Sequence, residues 1–274
     1  MTSYLLPASN YDQVRPLFQP LDLHLAVAAM LDGSVPAVIH VNDPIRPRAA
    51  FARIGHHNFL AGSPREPAFN AHVHQLLAET ISAGGVEALV FKTSSEAWEA
   101  PLRSVLLPGY EILRAQRQFY RFQALRRDWR AALPASFRLV EIDASLLART
   151  QLAHLDVLRD ELCSERPSVE EFLARSFGLA AVCDADAALA GWCTSEYNSG
   201  DRCEVGIGVL EPYQRRGLAT ALGSAFVDLA LARGVRHIGW HCWARNLPSV
   251  ATALAIGYEK VCDYTTFVAL IRSA

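Results

Sequence analysis

Hydrophobic residues change their spacing along the second half of the chain, and each change predicts an element. Three apolar runs of strand length, separated by turn-forming segments, lie at residues 179–183, 188–195 and 202–210. From Leu218 to Leu229 the apolar residues recur at helical spacing, and Gly234 follows as a stop. The pattern predicts three strands and then a helix over about residues 217–233.

Capping signals predict two further helices in this half. Ser168 precedes Glu171 by three residues, which is the spacing of a capping box at a helix start. Asn246 followed by Pro248 is typical of an N-cap with an early proline. Between these helices, alternation over residues 236–242 predicts a strand, and a final extended pair is expected over residues 259–271.

The first half of the chain carries a faint copy of this order. Gly109-Tyr110-Glu111 is repeated as Gly257-Tyr258-Glu259, 148 residues later (109 against 257). A strand-like run at 57–60, a helical stripe over 69–81 and a second run at 88–91 precede the first copy. A tandem duplication and a chance identity both explain the match. We expect an N-terminal α/β domain over residues 1–130 and a C-terminal domain over residues 131–274.

One loop carries the residue types of a phosphate site. Pro212-Tyr213-Gln214-Arg215-Arg216-Gly217-Leu218-Ala219 joins the predicted strand to the predicted helix. Unpaired amides and the positive end of the helix dipole attract a pyrophosphate, and a glycine lets the backbone approach it closely. The alternative is an ordinary basic turn that caps a surface helix.

This loop resembles the pyrophosphate-binding signature of the GNAT superfamily of N-acetyltransferases, Gln/Arg-x-x-Gly-x-Gly/Ala, at Gln214, Gly217 and Ala219. The preceding strand over 204–209 and the later step Ile256-Gly257-Tyr258 are similar to the family's neighbouring elements. The resemblance covers about residues 160–262. This stretch is similar to a bacterial branch of the family that has an additional N-terminal region. The resemblance implies an α/β (α+β) fold in which a mixed, mostly antiparallel sheet is flanked by helices, preceded here by a degenerate GNAT-like or related domain.

The resemblance also implies a cofactor, acetyl-CoA or another acyl-CoA, and a set of residues that bind it. Amides near the end of the strand would pair with the pantetheine arm, and those of the loop would hold the pyrophosphate. The expected cofactor residues are Val209, Leu210, Gln214, Arg215, Arg216, Gly217, Leu218, Ala219, Thr220, Asn246 and Ser249. For Asn246, helix capping is the alternative role.

Acyl transfer in this family is direct attack of an amine on the thioester, which needs a proton acceptor. Glu204 is the candidate base, and a strand residue paired with a cation is its alternative role. Many members have a tyrosine four residues before the glycine of the final helix step, where it can protonate the departing thiolate. Ala253 stands at that position here. Tyr264 and Ser249 are possible replacements, whereas Tyr258 is expected to be a core aromatic.

Composition excludes several other functions. The net charge of −2 and scattered basic residues argue against a nucleic-acid partner. No apolar run is long enough for a bilayer, and without an export signal the sequence indicates a cytoplasmic protein. The six cysteines form no CxxC pair and are expected to be free thiols, with no metal site.

The expected acceptor is a small-molecule amine, and the oligomeric state stays open. The alternative function is that of an acyl-CoA sensor or interaction module without catalysis.

Overall fold

The computed structural model describes residues 3–55, 57–164 and 166–271. Its backbone forms two compact units: unit 1 comprises the chain up to Gln116 together with the chain from Thr265 onward, and unit 2 comprises Arg117–Tyr264. The boundary predicted between residues 130 and 131 lies within unit 2, and the sequence did not indicate that the last segment returns to unit 1. The division into two domains stays a prediction.

Unit 1 is a mixed α/β unit with a sheet in the order β1-β2-β3-β4-β5-β12-β6. Its elements are β1 (Tyr4–Leu5), α1 (Arg15–Phe18), α2 (Leu25–Leu31), β2 (Val38–Val41), β3 (Ala49–Ile54), β4 (His57–Gly62), α3 (Pro67–Ser82), β5 (Ala88–Thr93), α4 (Glu99–Pro101) and the start of β6 (Glu111–Phe122). The strands pair antiparallel from β1 to β4, whereas β4 and β5 are parallel and are connected by α3. The predicted strands and helical stripe of this half are confirmed as β4, α3 and β5.

Unit 2 has the sheet order β12-β6-β11-β10-β9-β8-β7. Its further elements are α5 (Trp129–Ala132), β7 (Phe137–Glu141), α6 (Ala144–Leu147), α7 (Leu155–Leu162), α8 (Val169–Arg175), β8 (Gly178–Cys183), β9 (Ala188–Ser199), β10 (Arg202–Val209), α9 (Leu218–Ala232), β11 (His237–Trp243), α10 (Leu247–Ile256) and β12 (Tyr258–Leu270). Strands β7 to β10 pair antiparallel, and β10 pairs parallel with β11 through α9. The predicted mixed, mostly antiparallel sheet flanked by helices is confirmed.

The two units share one order of elements. In each, four antiparallel strands lead into a parallel pair connected by a long helix, which is α3 in unit 1 and α9 in unit 2. The next neighbour in each sheet is a strand from a different part of the chain. In unit 1, β5 pairs antiparallel with residues 267–270 of β12, and in unit 2, β11 pairs antiparallel with residues 117–121 of β6. The shared order supports the tandem duplication, which stays a prediction.

The structure confirms most of the sequence-predicted elements of unit 2 and corrects one. Ser168 Oγ accepts a hydrogen bond from the Glu171 amide at 3.3 Å, so the predicted cap forms. The expected final pair of strands is wrong, because residues 258–270 form the single strand β12. Residues 259–270 contain no glycine or proline to start a tight turn, and the strand continues from unit 2 into unit 1 instead.

Close packing of two helices fixes the face of unit 2 that carries the candidate site. A Cβ atom added to Gly223 of α9 would lie 2.5 Å from Ile256 Cδ1 of α10, so this glycine lets the helices approach. Phe226, Trp240 and Tyr258 are almost fully buried in the core of the unit, which confirms Tyr258 as a core aromatic. In the described part of the chain, no helix combines the length and the apolar character needed to span a bilayer.

Candidate active site

A gap opens between the two parallel strands of unit 2. Their paired residues run from Arg202 with His237 to Glu204 with Gly239, although β10 continues to Val209 and β11 to Trp243. On its other side β10 stays paired with β9 as far as Val209. Beyond Glu204, one edge of β10 therefore presents backbone groups that do not pair with β11, and an extended ligand can pair with them instead.

The loop that follows β10 has an unusual backbone. Arg215 has φ 59° and Gly217 has φ 78°, so both residues lie in the left-handed region. Such backbone reversals turn successive amides toward one point, and α9 begins directly afterwards at Leu218. Gln214 Nε2 donates a hydrogen bond to the Val209 carbonyl at 2.8 Å and holds the loop against the end of β10. This combination favours an anionic ligand.

The gap and the loop open into one cavity of about 660 Å³ in unit 2. Nine of the eleven predicted cofactor residues line it: Val209, Gln214, Arg215, Gly217, Leu218, Ala219, Thr220, Asn246 and Ser249. The volume falls in the range of small-molecule and cofactor sites. A Cβ atom added to Gly217 would meet no protein atom within 4 Å, so the space beside this glycine is open to a ligand.

Two predicted cofactor residues do not line this cavity. The Leu210 amide donates to the Ala190 carbonyl at 2.9 Å, so it faces β9. The Arg216 guanidinium lies 5.9 Å from the centre of the Tyr213 ring. Five further lining residues were not among the predicted cofactor residues, namely Ile207, Tyr213, Trp240, Pro248 and Thr252. Periodicity offered a signal for three of them: residues 207 and 209 share a strand face, and residues 248 and 252 share a helix face at the start of α10.

The far wall of the cavity is the start of α10, which the structure ties to β11. Asn246 Oδ1 accepts from the Ser249 amide at 3.2 Å, so Asn246 is an N-cap that also lines the cavity. Ser249 Oγ accepts from the Trp240 indole at 3.1 Å. These bonds hold the helix start beside the gap, and the capping role does not exclude contact with a ligand.

The opposite face of the sheet carries a chain of three polar side chains from three strands. Because Trp240 lines the cavity, the next residue of β11, His241, points to the other face. His241 Nε2 lies 3.1 Å from Glu204 Oε1, and His241 Nδ1 lies 2.9 Å from the Tyr264 hydroxyl. The Glu204 and His241 side chains are only 9 % and 10 % exposed. Glu204, the first side chain of this hydrogen-bonded series, lies where β10 and β11 separate.

Two residues of β6 support this chain. Phe119 stacks on the His241 ring, with 4.5 Å between the ring centres. The Arg117 guanidinium lies 4.6 Å from the centre of the Trp243 ring and interacts with the Tyr264 phenol. Burial raises the pKa of Tyr264, and the opposing effect of Arg117 is smaller, so the phenol keeps its proton at neutral pH. No local pattern indicates that β6 joins this site, because its pairing with β11 joins residues far apart in sequence.

The cysteines near this site are thiols at neutral pH. Burial, with a smaller contribution from the charge of Glu204, raises the pKa of Cys203 to about 12. Burial likewise raises the pKa of Cys242. Both therefore lack the thiolate character of a cysteine nucleophile. Within residues 3–55, 57–164 and 166–271, no three His, Cys, Asp or Glu side chains are grouped to hold a metal ion.

Comparison with known proteins gives the family. The model of the GNAT acetyltransferase family matches residues 15–267. The chain belongs to this family. It is 23 % identical to the uncharacterized N-acetyltransferase YdfB of Bacillus subtilis (strain 168) over 265 residues, which are 96 % of this chain and 97 % of that protein. This family match agrees with the resemblance of the loop at residues 214–219 to the GNAT signature.

Two solved structures share the fold of this GNAT chain over almost its full length. A GCN5-related N-acetyltransferase-like protein from Streptococcus suis 89/1591 superposes with a TM-score of 0.71 and 22 % identity, covering 96 % of this chain and 99 % of that one. A tandem GNAT protein from the clavulanic acid biosynthesis pathway gives a TM-score of 0.61 and 14 % identity, covering 99 % of each chain. At these identities the likeness concerns the fold, and the predicted GNAT fold is confirmed.

Proposed function

We propose that the protein is an acyl-CoA-dependent N-acyltransferase that moves an acyl group, most simply acetyl, directly from CoA to the amine of a small molecule. One observation carries the proposal: the gap between β10 and β11 leads into the same cavity as the loop with two left-handed residues before α9. Acyl-CoA is an extended arm joined to a pyrophosphate, and these two features match the two parts.

The binding roles follow from charge and backbone geometry. The amides from Arg215 to Thr220 would hold the pyrophosphate, because they gather at the positive end of a fifteen-residue helix. The Arg215 side chain adds a positive charge at the cavity wall. Backbone groups of β10 near Val209 would pair with the amides of the pantetheine arm. Asn246 and Ser249 would contact the arm from the side of α10.

The reaction is direct transfer. The acceptor nitrogen attacks the thioester carbonyl, a C–N bond forms, and the C–S bond breaks with release of the CoA thiolate. The nitrogen must lose a proton before or during attack, and Glu204 would take it, directly or through a water. Alanine at position 253, where many relatives have a tyrosine, offers no proton donor, so solvent would protonate the thiolate. Neither step requires a covalent enzyme intermediate.

The proposal is tested by binding and by turnover. Calorimetry with CoA should give saturable binding to the wild-type chain, and release of free thiol from acetyl-CoA should accelerate with at least one member of a panel of primary amines. The panel contains an aminoglycoside, a polyamine, an amino acid amide and a short peptide. CoA binding without accelerated thiol release across the panel would favour a non-catalytic acyl-CoA module, and absence of CoA binding would overturn the proposal.

A further inference from the structure

The contacts of His241 with Tyr264 and Glu204 favour one placement of the ring protons. The phenol of Tyr264 keeps its proton at neutral pH, because burial disfavours the phenolate. When that O–H points at His241 Nδ1, 2.9 Å away, the ring nitrogen accepts, and the neutral ring then carries its own proton on Nε2. Nε2–H in turn donates to Glu204 Oε1 at 3.1 Å. An ionised Glu204 satisfies every bond of this arrangement.

We propose that His241 and Tyr264 are positioning residues for the base of the transfer reaction: Tyr264 fixes the histidine tautomer that donates to Glu204 and aims the carboxylate at the gap. This inference rests on the proposed function. Phe119 holds the ring in place by stacking on it, and Arg117 lies at the far end beside Tyr264. Neither positioning residue lines the cavity.

This arrangement addresses a general difficulty of a buried base. A carboxylate that is 9 % exposed is destabilised as an anion unless donors face it. The groups that act on or face Glu204 come from several strands: His241 from β11, Tyr264 from β12 and Cys203 from its own strand, while Tyr197 pairs with it from β9. Of the bonds described here, His241 Nε2–H supplies the donor. Removing that donor disfavours the ionised form of Glu204. A side chain that donates a hydrogen bond from the same position restores this stabilisation.

Replacing His241 by glutamine or asparagine tests this directly. A glutamine amide reaches the position of Nε2 and can donate to Glu204, whereas an asparagine amide occupies the position of Nδ1, near Tyr264. We expect His241→Gln to turn over acetyl-CoA with its amine at least about ten-fold faster than His241→Asn, because only the first restores the bond to the base. Both should bind CoA as the wild type does, which serves as the check on folding.

Tyr264→Phe supplies a second readout. It removes the hydroxyl that donates to His241 Nδ1, so we expect kcat with the amine to fall about ten-fold while the affinity for CoA stays unchanged. Trp243→Phe should keep the wild-type kcat, because it alters the nearby aromatic contact with Arg117 but does not remove the contacts of His241 with Glu204 and Tyr264. Equal loss in His241→Gln and His241→Asn would overturn the proposal, because the imidazole itself would then carry the proton.

The tautomer can be read without turnover. In the spectrum of ¹⁵N-histidine-labelled protein, His241 should show a protonated Nε2 and an unprotonated Nδ1 near pH 8, assigned by its absence in His241→Gln. A protonated Nδ1 in the wild type would overturn the positioning proposal even if acyl transfer proceeds. The expected tautomer together with no acyl transfer would instead count against the proposed function alone.

Discussion

Glu204 lies opposite Gly239 in the last paired position between β10 and β11. A Cβ atom on residue 239 would lie 3.3 Å from Glu204 Cγ and 3.1 Å from Phe119 Cε2, closer than carbon atoms rest at optimal contact. The glycine therefore gives the carboxylate and the stacked ring room on the same face of the sheet.

Gly239→Ala should displace Glu204 and slow turnover by about ten-fold or more while leaving CoA affinity unchanged, because the cavity for CoA lies on the other face. Steady-state kinetics and calorimetry measure the two effects. The double variant with Glu204→Gln should lose no more than Glu204→Gln alone, since both changes act through one carboxylate. Additive losses would show that the added methyl group acts on something else.

Two substitutions of Gly217 distinguish the effect of backbone strain in the loop from the effect of added bulk and charge. At φ 78° any other residue is strained, and the space beside it is open. Gly217→Glu should abolish CoA binding, because it adds bulk and negative charge where the pyrophosphate is proposed to lie. Gly217→Ala has the same backbone strain but adds only an uncharged methyl group, so it should weaken CoA binding less than Gly217→Glu does. Calorimetry with CoA compares them, and unchanged affinity in a folded Gly217→Glu variant would refute the loop assignment.

The sequence predicted those parts of unit 2 that depend on local signals. The helical stripe from Leu218, the cap at Asn246 and the loop glycine each follow from a short pattern, and the structure brings them to one cavity. The pairing of β6 with β11 was not predictable in the same way, because it joins residues more than a hundred positions apart. For the same reason the contact of Phe119 with His241 had no local signal.

Unit 1 should not bind a second CoA. The segment that corresponds to the loop, residues 66–71, has Phe69 in place of the glycine, and Phe69 is buried in the core of the unit. Helix α3 starts at Pro67, which has no amide hydrogen to offer, and Glu66 before it has φ −123° rather than a left-handed backbone. Calorimetric titration should therefore give one CoA per chain, and a stoichiometry of two would contradict this prediction.

Glu204→Gln tests the proton acceptor itself. Glutamine keeps the size of the side chain and can still accept from His241 Nε2–H, but it cannot take up a proton. The variant should bind CoA normally and lose on the order of 10²-fold in kcat near neutral pH, which is the usual contribution of a positioned base. Part of this loss should return at high pH, because more of the free amine is then present without help from the protein.

Glu196→Gln is the matched control, since it makes the same change in a neighbouring carboxylate that packs over Gly206 on the adjoining stretch of β10. We expect it to keep the wild-type rate from neutral to high pH, because Glu196 is not part of the proposed series of Glu204, His241 and Tyr264. If Glu204→Gln turned over acetyl-CoA at the wild-type rate from neutral to high pH, Glu204 would have a structural role only, and His241 would be the next residue to test as the base.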